Sequence, residues 1–406
     1  MRGLAAAAAL GLVLAARASA QATPASGDHC TFSVDNVDRA IRQVPNPDGT
    51  SNYFAGGNVR LSCQRTSVRM ASDSLAAFNN FQVTYFLGHV RYADSTVTMT
   101  ADHGTYYKDG ERWEARGDVV TRNTKNGSTL RGPSLDYLRP MAGIRDTAEM
   151  YATGRPRLEY VPTDSAGKAG EPYVIYGDRV RFRGDDRIFA GGSVTVDRSD
   201  FSARGDSLRL DTGAGQDGVL YGRARMAGKG ESSFTLTGRR IDLRLRESAL
   251  SGVRAIGAAH AVNPDWDLTA DTIDLTLEHQ KLARTLAWGD SLRPLAISPQ
   301  REIRADSLAI DTPGQQLTEA RAFGSAWIGG AVDSVRHDRD QLWGDSVVAR
   351  FTQVDSGGRS VTRISGVTAR HLARSYHLLA PEAGCAQAPV SYVRGNEIVL
   401  TFETKG

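Results

Sequence analysis

The sequence predicts an all-β protein, an elongated stack of antiparallel strands, and three observations carry that expectation. Two short motifs recur along the chain, apolar residues between them alternate with period two, and glycine is abundant (42 residues) while helical periodicity is weak. A repeat with a full period of about 30 residues marks a stacked architecture, in which each unit buries its apolar face only against its neighbours. Such folds escape the size rule that would divide 406 residues into two or three domains.

The first motif is clearest at Gly205-Asp206-Ser207-Leu208 and returns as Ala305-Asp306-Ser307-Leu308, Ala270-Asp271-Thr272-Ile273 and Gly344-Asp345-Ser346-Val347. Weaker copies include Asp73-Ser74-Leu75, Asp178-Arg179-Val180 and Asn396-Glu397-Ile398. The second motif, glycine-x-valine, occurs at Gly57, Gly88, Gly117 and Gly192. In the first half the marks Gly57, Asp73, Gly88, Asp102, Gly117 and Gly132 follow one another about every 15 residues.

Between the marks, Ile241, Leu243 and Leu245 point one way while Asp242, Arg244 and Arg246 point the other. Ile273, Leu275 and Leu277 repeat this, as do Phe81, Val83 and Tyr85, and Ile398, Leu400 and Phe402. Such alternation describes strands with one dry and one wet face, the usual state of antiparallel sheet. Asp109-Gly110, Asn126-Gly127, Gly191-Gly192 and Gly357-Gly358 supply turns, because they tolerate positive φ. Residues 37–42 admit a short helix. Pro156, Pro162, Gly167 and Gly170 break the rhythm across 141–172, which reads as an irregular loop or a junction, and Pro294 and Pro299 mark a longer loop.

The N-terminus carries Arg2, an apolar stretch over 4–16 and then Ala18-Ser19-Ala20. This reads as a secretory signal peptide over 1–20, with Arg17 leaving an uncleaved anchor as the alternative. No later segment is apolar enough to span a bilayer as a helix. The net charge of +3 would fall to +1 without Arg2 and Arg17, and both signs are interspersed. No basic stripe of the kind nucleic acid requires is visible in the order of residues. In an oxidising compartment three cysteines leave one over. Cys30 with Cys63 is the preferred disulfide, since each flanks a predicted strand near the N-terminus. The alternative uses Cys385 to staple the chain ends.

Catalytic patterns are weak. Gly213, Gly215 and Gly218 match a dinucleotide-binding spacing, but strand-like Val219-Leu220-Tyr221 follows where a helix is required. His89 and His103 lack a third metal ligand of known position. The recurrent Asp73, Asp206, Asp306 and Asp345 lack the glycine-rich nonapeptide of calcium-binding rolls, so turn capping accounts for them better. No Gly-x-Ser-x-Gly elbow is present. The chain is expected to be non-enzymatic and to need no cofactor.

Residues 81–138 carry a family likeness. Gly88-His89-Val90, Thr100-Ala101-Asp102 and Tyr106-Tyr107 lead into Glu114-Ala115-Arg116-Gly117-Asp118-Val119, and then into Leu130-Arg131-Gly132-Pro133-Ser134-Leu135-Asp136-Tyr137. Looser copies run from Tyr173 to Phe402. The chain resembles the organic-solvent-tolerance (OstA-like) family of lipopolysaccharide transport, in segments 28–140 and 173–406 around the 141–172 junction. The resemblance implies an elongated β-jellyroll folded like a taco, working in the periplasm or at the outer membrane. Its inner face would hold the acyl chains of lipopolysaccharide or a similar amphipathic lipid. Its end strands would add to those of other envelope transport proteins. The chain is about twice as long as the family's soluble bridge protein and lacks the long C-terminal barrel of its outer-membrane member.

Candidates for the groove lining are Val83, Tyr85, Val180, Phe182, Leu208, Leu210 and Leu243. The series continues through Leu245, Ile273, Leu275, Ile310, Leu400 and Phe402. Periodicity alone favours a closed core over an open groove, and the family resemblance favours the groove. The alternative function is a structural envelope scaffold that carries no lipid.

Overall fold

Twenty-six strands, all paired antiparallel, form one continuous sheet in a computed structural model of the chain. It describes residues 29–164, 167–213, 217–229, 234–247, 249–264, 266–279, 281–299, 301–332, 338–355, 360–379 and 389–402. The leader segment 1–20, Cys385 and residues 214–216 lie outside these.

The strands follow one another in the chain as they do in space. The first are β1 (Phe32–Asn36), β2 (Ala40–Pro45), β3 (Ser51–Cys63), β4 (Arg69–Phe78), β5 (Val83–Ala93), β6 (Val97–Tyr107), β7 (Arg112–Asn123) and β8 (Thr129–Leu138). The proline-bearing stretch 141–172 carries β9 (Glu149–Thr153) and β10 (Arg157–Tyr160). Next come β11 (Tyr173–Tyr176), β12 (Arg179–Arg183), β13 (Arg187–Asp197), β14 (Phe201–Asp211), β15 (Asp217–Gly228), β16 (Thr235–Arg246), β17 (Ala249–Val262) and β18 (Asp267–Glu278). The last are β19 (Lys281–Trp288), β20 (Leu295–Ile297), β21 (Arg301–Arg304), β22 (Ser307–Asp311), β23 (Glu319–Gly330), β24 (Gln341–Asp355), β25 (Ser360–Leu378) and β26 (Val390–Thr401).

Each pass of the chain bends near its middle. Five passes are interrupted there, so that β1 with β2, β9 with β10, β11 with β12, β19 with β20, and β21 with β22 are halves of one pass. The twenty-six strands therefore make twenty-one passes. The bends line up as a ridge joining two facing walls. The first wall holds β1, β10, β11, β20 and β21, the second holds β2, β9, β12, β19 and β22, and the long strands run through both. At about 4.8 Å per pass, the stack is about 100 Å long. No α-helix occurs among the described residues, and 37–42 is the first bend and the start of β2 rather than a helix: the Asp38 N–H donates to the Gly57 carbonyl at 2.8 Å.

The two sequence motifs are the two halves of this bend. In alternate passes two successive residues adopt left-handed backbone, as at Gly88-His89 (φ 75° and 46°) and Gly117-Asp118 (φ 76° and 39°). The pairing register slips there, the mark of a β-bulge that turns the strand. The aspartate of the neighbouring pass fills the space over the glycine. A methyl group on Gly88, Gly117, Gly192, Gly222 or Gly324 would overlap the carboxylate of Asp73, Asp102, Asp178, Asp206 or Asp306 respectively. Only glycine satisfies both the φ and the close approach. Small residues before the aspartate face inward opposite the valine position, as in Val90 with Ala101 and Val194 with Gly205. In β25 the bend is made by His371 and Leu372 (φ 57° and 52°), with no glycine at all.

Inward residues form one apolar core along the whole stack, with Phe86, Leu135, Ile188, Leu236, Ile273 and Ala369 wholly buried. At roughly 1.5–3 kcal/mol for each fully buried large apolar side chain, this seam is what holds the passes together. Outer positions are charged, with both signs on each wall. On the second wall Asp274 lies between Arg244 (Nη1 to Oδ2, 2.9 Å) and Arg254 (Nε to Oδ2, 2.7 Å). The first wall carries arginines largely without such partners.

Two measurements test this description. Gly117→Ala should cost at least about 2 kcal/mol in denaturant unfolding, combining the left-handed penalty with the overlap. Gly143→Ala, with φ 75° but open space around it, should cost only about 1 kcal/mol; equal costs would remove the role assigned to Asp102. The second concerns Asp274. Burial raises its pKa, but hydrogen bonds from Arg244 and Arg254 outweigh this and hold it below the usual carboxylate range. A depressed folded pKa adds stability above the unfolded value of about 3.9 that is lost as pH falls through the folded value. Asp274→Asn should therefore melt lower than the parent at pH 7, by about 2 kcal/mol, with the gap closing below about pH 4.

Candidate lipid-binding interior

The inner faces of the two walls interlock over most of the N-terminal half. Trp113 and Phe86 on the second wall pack at 5.0 Å between ring centroids, and Tyr92 of the first wall lies 5.2 Å from Trp113 and 5.8 Å from Tyr137 of the second. These rings are 0–2% exposed. A cavity of about 50 Å³ beside Val97, Leu130, Met150 and Phe182, and one of about 10 Å³ beside Leu308 and Ile310, remain between the walls. Such spaces admit a few waters at most, so this part of the interior is a packed core.

The lips opposite the ridge are tied by polar groups. Asp94, in the β5–β6 turn of the first wall, accepts from Tyr92 Oη (2.9 Å) and, across the interior, from Tyr137 Oη (2.8 Å). Burial, reinforced by the Asp94 charge, raises both phenol pKa values. Glu111, in the β6–β7 turn of the second wall, is fully buried. It accepts from Tyr106 Oη, from Arg139 Nη1 and from the Cys30 N–H, each at 2.7 Å. Cys30 is bonded to Cys63 on the first wall, with Cα atoms 5.2 Å apart, so Glu111 fastens one lip to the other. Lys125 and Asn123 of the first lip reach Asp185 of the second at 2.9 and 3.2 Å. Tyr160 bonds Thr212 across the same seam.

Beyond these ties the apolar core continues, and one local recess opens at its lip edge. A cleft of about 290 Å³ lies between Phe201, Met226 and Phe234 of the first wall and Leu250 and Leu277 of the second. Asp200, Lys229, His279 and Lys281 rim it. The volume is just under the ~300–1,000 Å³ usual for ligand pockets. Lys229 is held by Asp197 Oδ1 and the Arg198 carbonyl, both at 2.6 Å. Burial holds the Asp200 carboxyl above its usual range although Arg198 Nε is 2.9 Å away. The cleft is thus a polar-rimmed recess over buried apolar side chains.

Of the proposed lining, Val180, Phe182, Leu208, Leu210, Leu243, Leu245, Ile273, Leu275, Ile310 and Leu400 lie on the inner face. Val83 and Tyr85 do not. Val83 to Leu87 is apolar in both phases except at Thr84, and the buried set is Thr84, Phe86, Val90 and Tyr92. Tyr85, 41% exposed, packs outside against Phe78 at 5.8 Å, and Val83 sits on the same outer face. Phe402 has inner-face phase but is exposed, because no further described pass covers β26. The cleft residues and the lip ties were not singled out from sequence. Phe201, Leu250 and Leu277 obey the same alternation as the closed core, and no local signal marks where a recess opens. His89 bonds Asp73 at 2.7 Å, and no group of three metal-ligating side chains occurs among the described residues. No protein-family model matches the chain, and no curated protein matches it either.

Glu111→Ala should cost about 3 kcal/mol, since it strands the largely buried Arg139. Lys125→Ala, whose ion pair is exposed on both sides, should cost under about 1 kcal/mol. Comparable losses in the two variants would mean that the lips are not fastened chiefly at Glu111.

Proposed function

We propose that this chain is a non-enzymatic envelope protein that carries or bridges lipopolysaccharide, or a similar amphipathic lipid, between its two walls. The observation that carries this reading is the cleft of about 290 Å³ at Phe201, Met226, Phe234, Leu250 and Leu277, which lies over the continuous apolar core beneath a charged rim. Each methylene moved there from water contributes about 0.8 kcal/mol, so a fatty tail is held without any specific bond. The resemblance to the OstA-like family supports lipopolysaccharide as the lipid, and a signal peptide with an oxidised Cys30–Cys63 pair supports the periplasm. Among the described residues β26 pairs only with β25, while β1 and β2 pair only with β3. Both ends therefore offer edges for strand addition by other envelope proteins.

A scaffold without lipid is the second reading, favoured by the interlocked rings of Phe86, Tyr92, Trp113 and Tyr137. Lipid contact separates the two. A photo-crosslinking residue at Leu277 should capture lipopolysaccharide, whereas one at Tyr221, exposed on the outer face, should not. Capture at neither position, or at both alike, supports the scaffold.

A further inference from the structure

One outer row of the first wall, next to the ridge, runs in register through every pass. It passes through Asn36, Arg60, Ala71, Arg91, Thr100 and Val120, then through Arg131, Arg157, Tyr176, Thr195 and Arg204. Beyond these it takes in Arg225, Thr237, His260, Thr269 and Leu295. It ends with Arg304, Trp327, Trp343, Arg374 and Arg394. One position in each of the twenty-one passes belongs to the row, nine are arginine, and none is acidic. At about 4.8 Å per pass the arginines cover about 90 Å.

Of these guanidiniums, Arg157 is paired with Glu159 and Arg304 with Glu302, and Arg60 Nε donates to Asn58 Oδ1 at 3.2 Å. All but the half-buried Arg157 are exposed. Arg91, Arg131, Arg204, Arg225, Arg374 and Arg394 make no ion pair among the described residues. The second wall differs: Arg112 and Arg116 bind Glu114 and Asp136, and Arg321 and Arg350 share Glu319. The seven row arginines without an ion pair repel each other with no carboxylate between them in the row, an arrangement that folding does not require.

We propose that this row binds a linear acidic glycan, a sugar chain bearing phosphate or carboxylate groups along its length. The planar fork of arginine matches either anion, and Thr100, Thr195, Thr237 and Thr269 in the same row offer hydroxyls to sugars. The row is one residue wide. Glu159, Asp197, Asp267 and Glu302 flank it toward the lip, and Asp73, Asp102, Asp178 and Asp206 flank it on the ridge. A membrane plane would meet these acids together with the arginines, and sheets twist away from a plane; a single chain laid along the row follows the twist and lies nearest the arginines. A single-stranded nucleic acid needs a succession of aromatic platforms, and Tyr176 is the one aromatic residue in the row before Trp327. The proposal holds whether or not the interior takes lipid.

The test uses the full chain and polygalacturonate, with neutral dextran, single-stranded DNA and anionic phospholipid vesicles as competitors for the assignment. Polygalacturonate should bind in a salt-sensitive manner and dextran should not. R91S/R131S/R204S/R225S should weaken polygalacturonate binding by about tenfold or more, while R65S/R183S/R187S/R246S, equal in charge but off the row, should change it by less than about threefold. Unchanged melting of both variants shows that they are folded, and lysines at the four row positions should restore only part of the affinity. Equal loss in both variants, absence of binding, or tighter binding of DNA or vesicles at the same ionic strength overturns the proposal.

Discussion

The contact between a left-handed glycine and the carboxylate of the adjacent pass is the constraint on which this molecule rests. It fixes where each strand bends, and because it involves consecutive passes, it also fixes their register. Once the bends are aligned, inward positions on both sides must face each other and the apolar seam follows. A one-residue slip would send the whole inner set of a strand to the outside; the bulge with its matching aspartate prevents this about every second pass. Gly154 against Pro133 and Gly257 against Arg239 show the same seat filled by other side chains. The space must be filled, and the carboxylate is one way of filling it.

The two edges of the folded sheet are therefore unequal. The ridge is continuous covalent backbone and cannot open. Among the described residues the lips are joined by side chains, through Glu111, Asp94, Asp185 and Tyr160. The cleft lies just beyond the tie between Tyr160 and Thr212. At the lips, separating the walls costs hydrogen bonds and apolar contact but no change of backbone topology.

Much of the fold was readable from sequence because its requirements are local. Positive φ with a close carboxylate leaves glycine and aspartate at regular intervals, and a strand with a single apolar phase, such as Ile241-Leu243-Leu245, announces which side is dry. The reading failed at Val83 and Tyr85, where both phases are apolar and an outer aromatic cluster with Phe78 competes with the core. The cleft was hidden because its opening depends on packing across the interior, to which neighbouring residues in sequence are blind. The arginine row was hidden for a related reason. Arg91, Arg131, Arg204 and Arg225 are widely separated in the chain, and the intervening bulges must be counted before they fall into line.

The bend at His371 and Leu372 has a thermodynamic meaning of its own. Non-glycine residues in left-handed backbone cost roughly 1–2 kcal/mol each, and in a stack each pass is stabilised only by its immediate neighbours. The strain is therefore not shared along the column but stays with β24, β25 and β26, the last of which is covered on one side only. Amide exchange would find its shallowest protection at that terminus. The opposite end is pinned by the Cys30–Cys63 disulfide, so the two ends of the column would open at unequal cost.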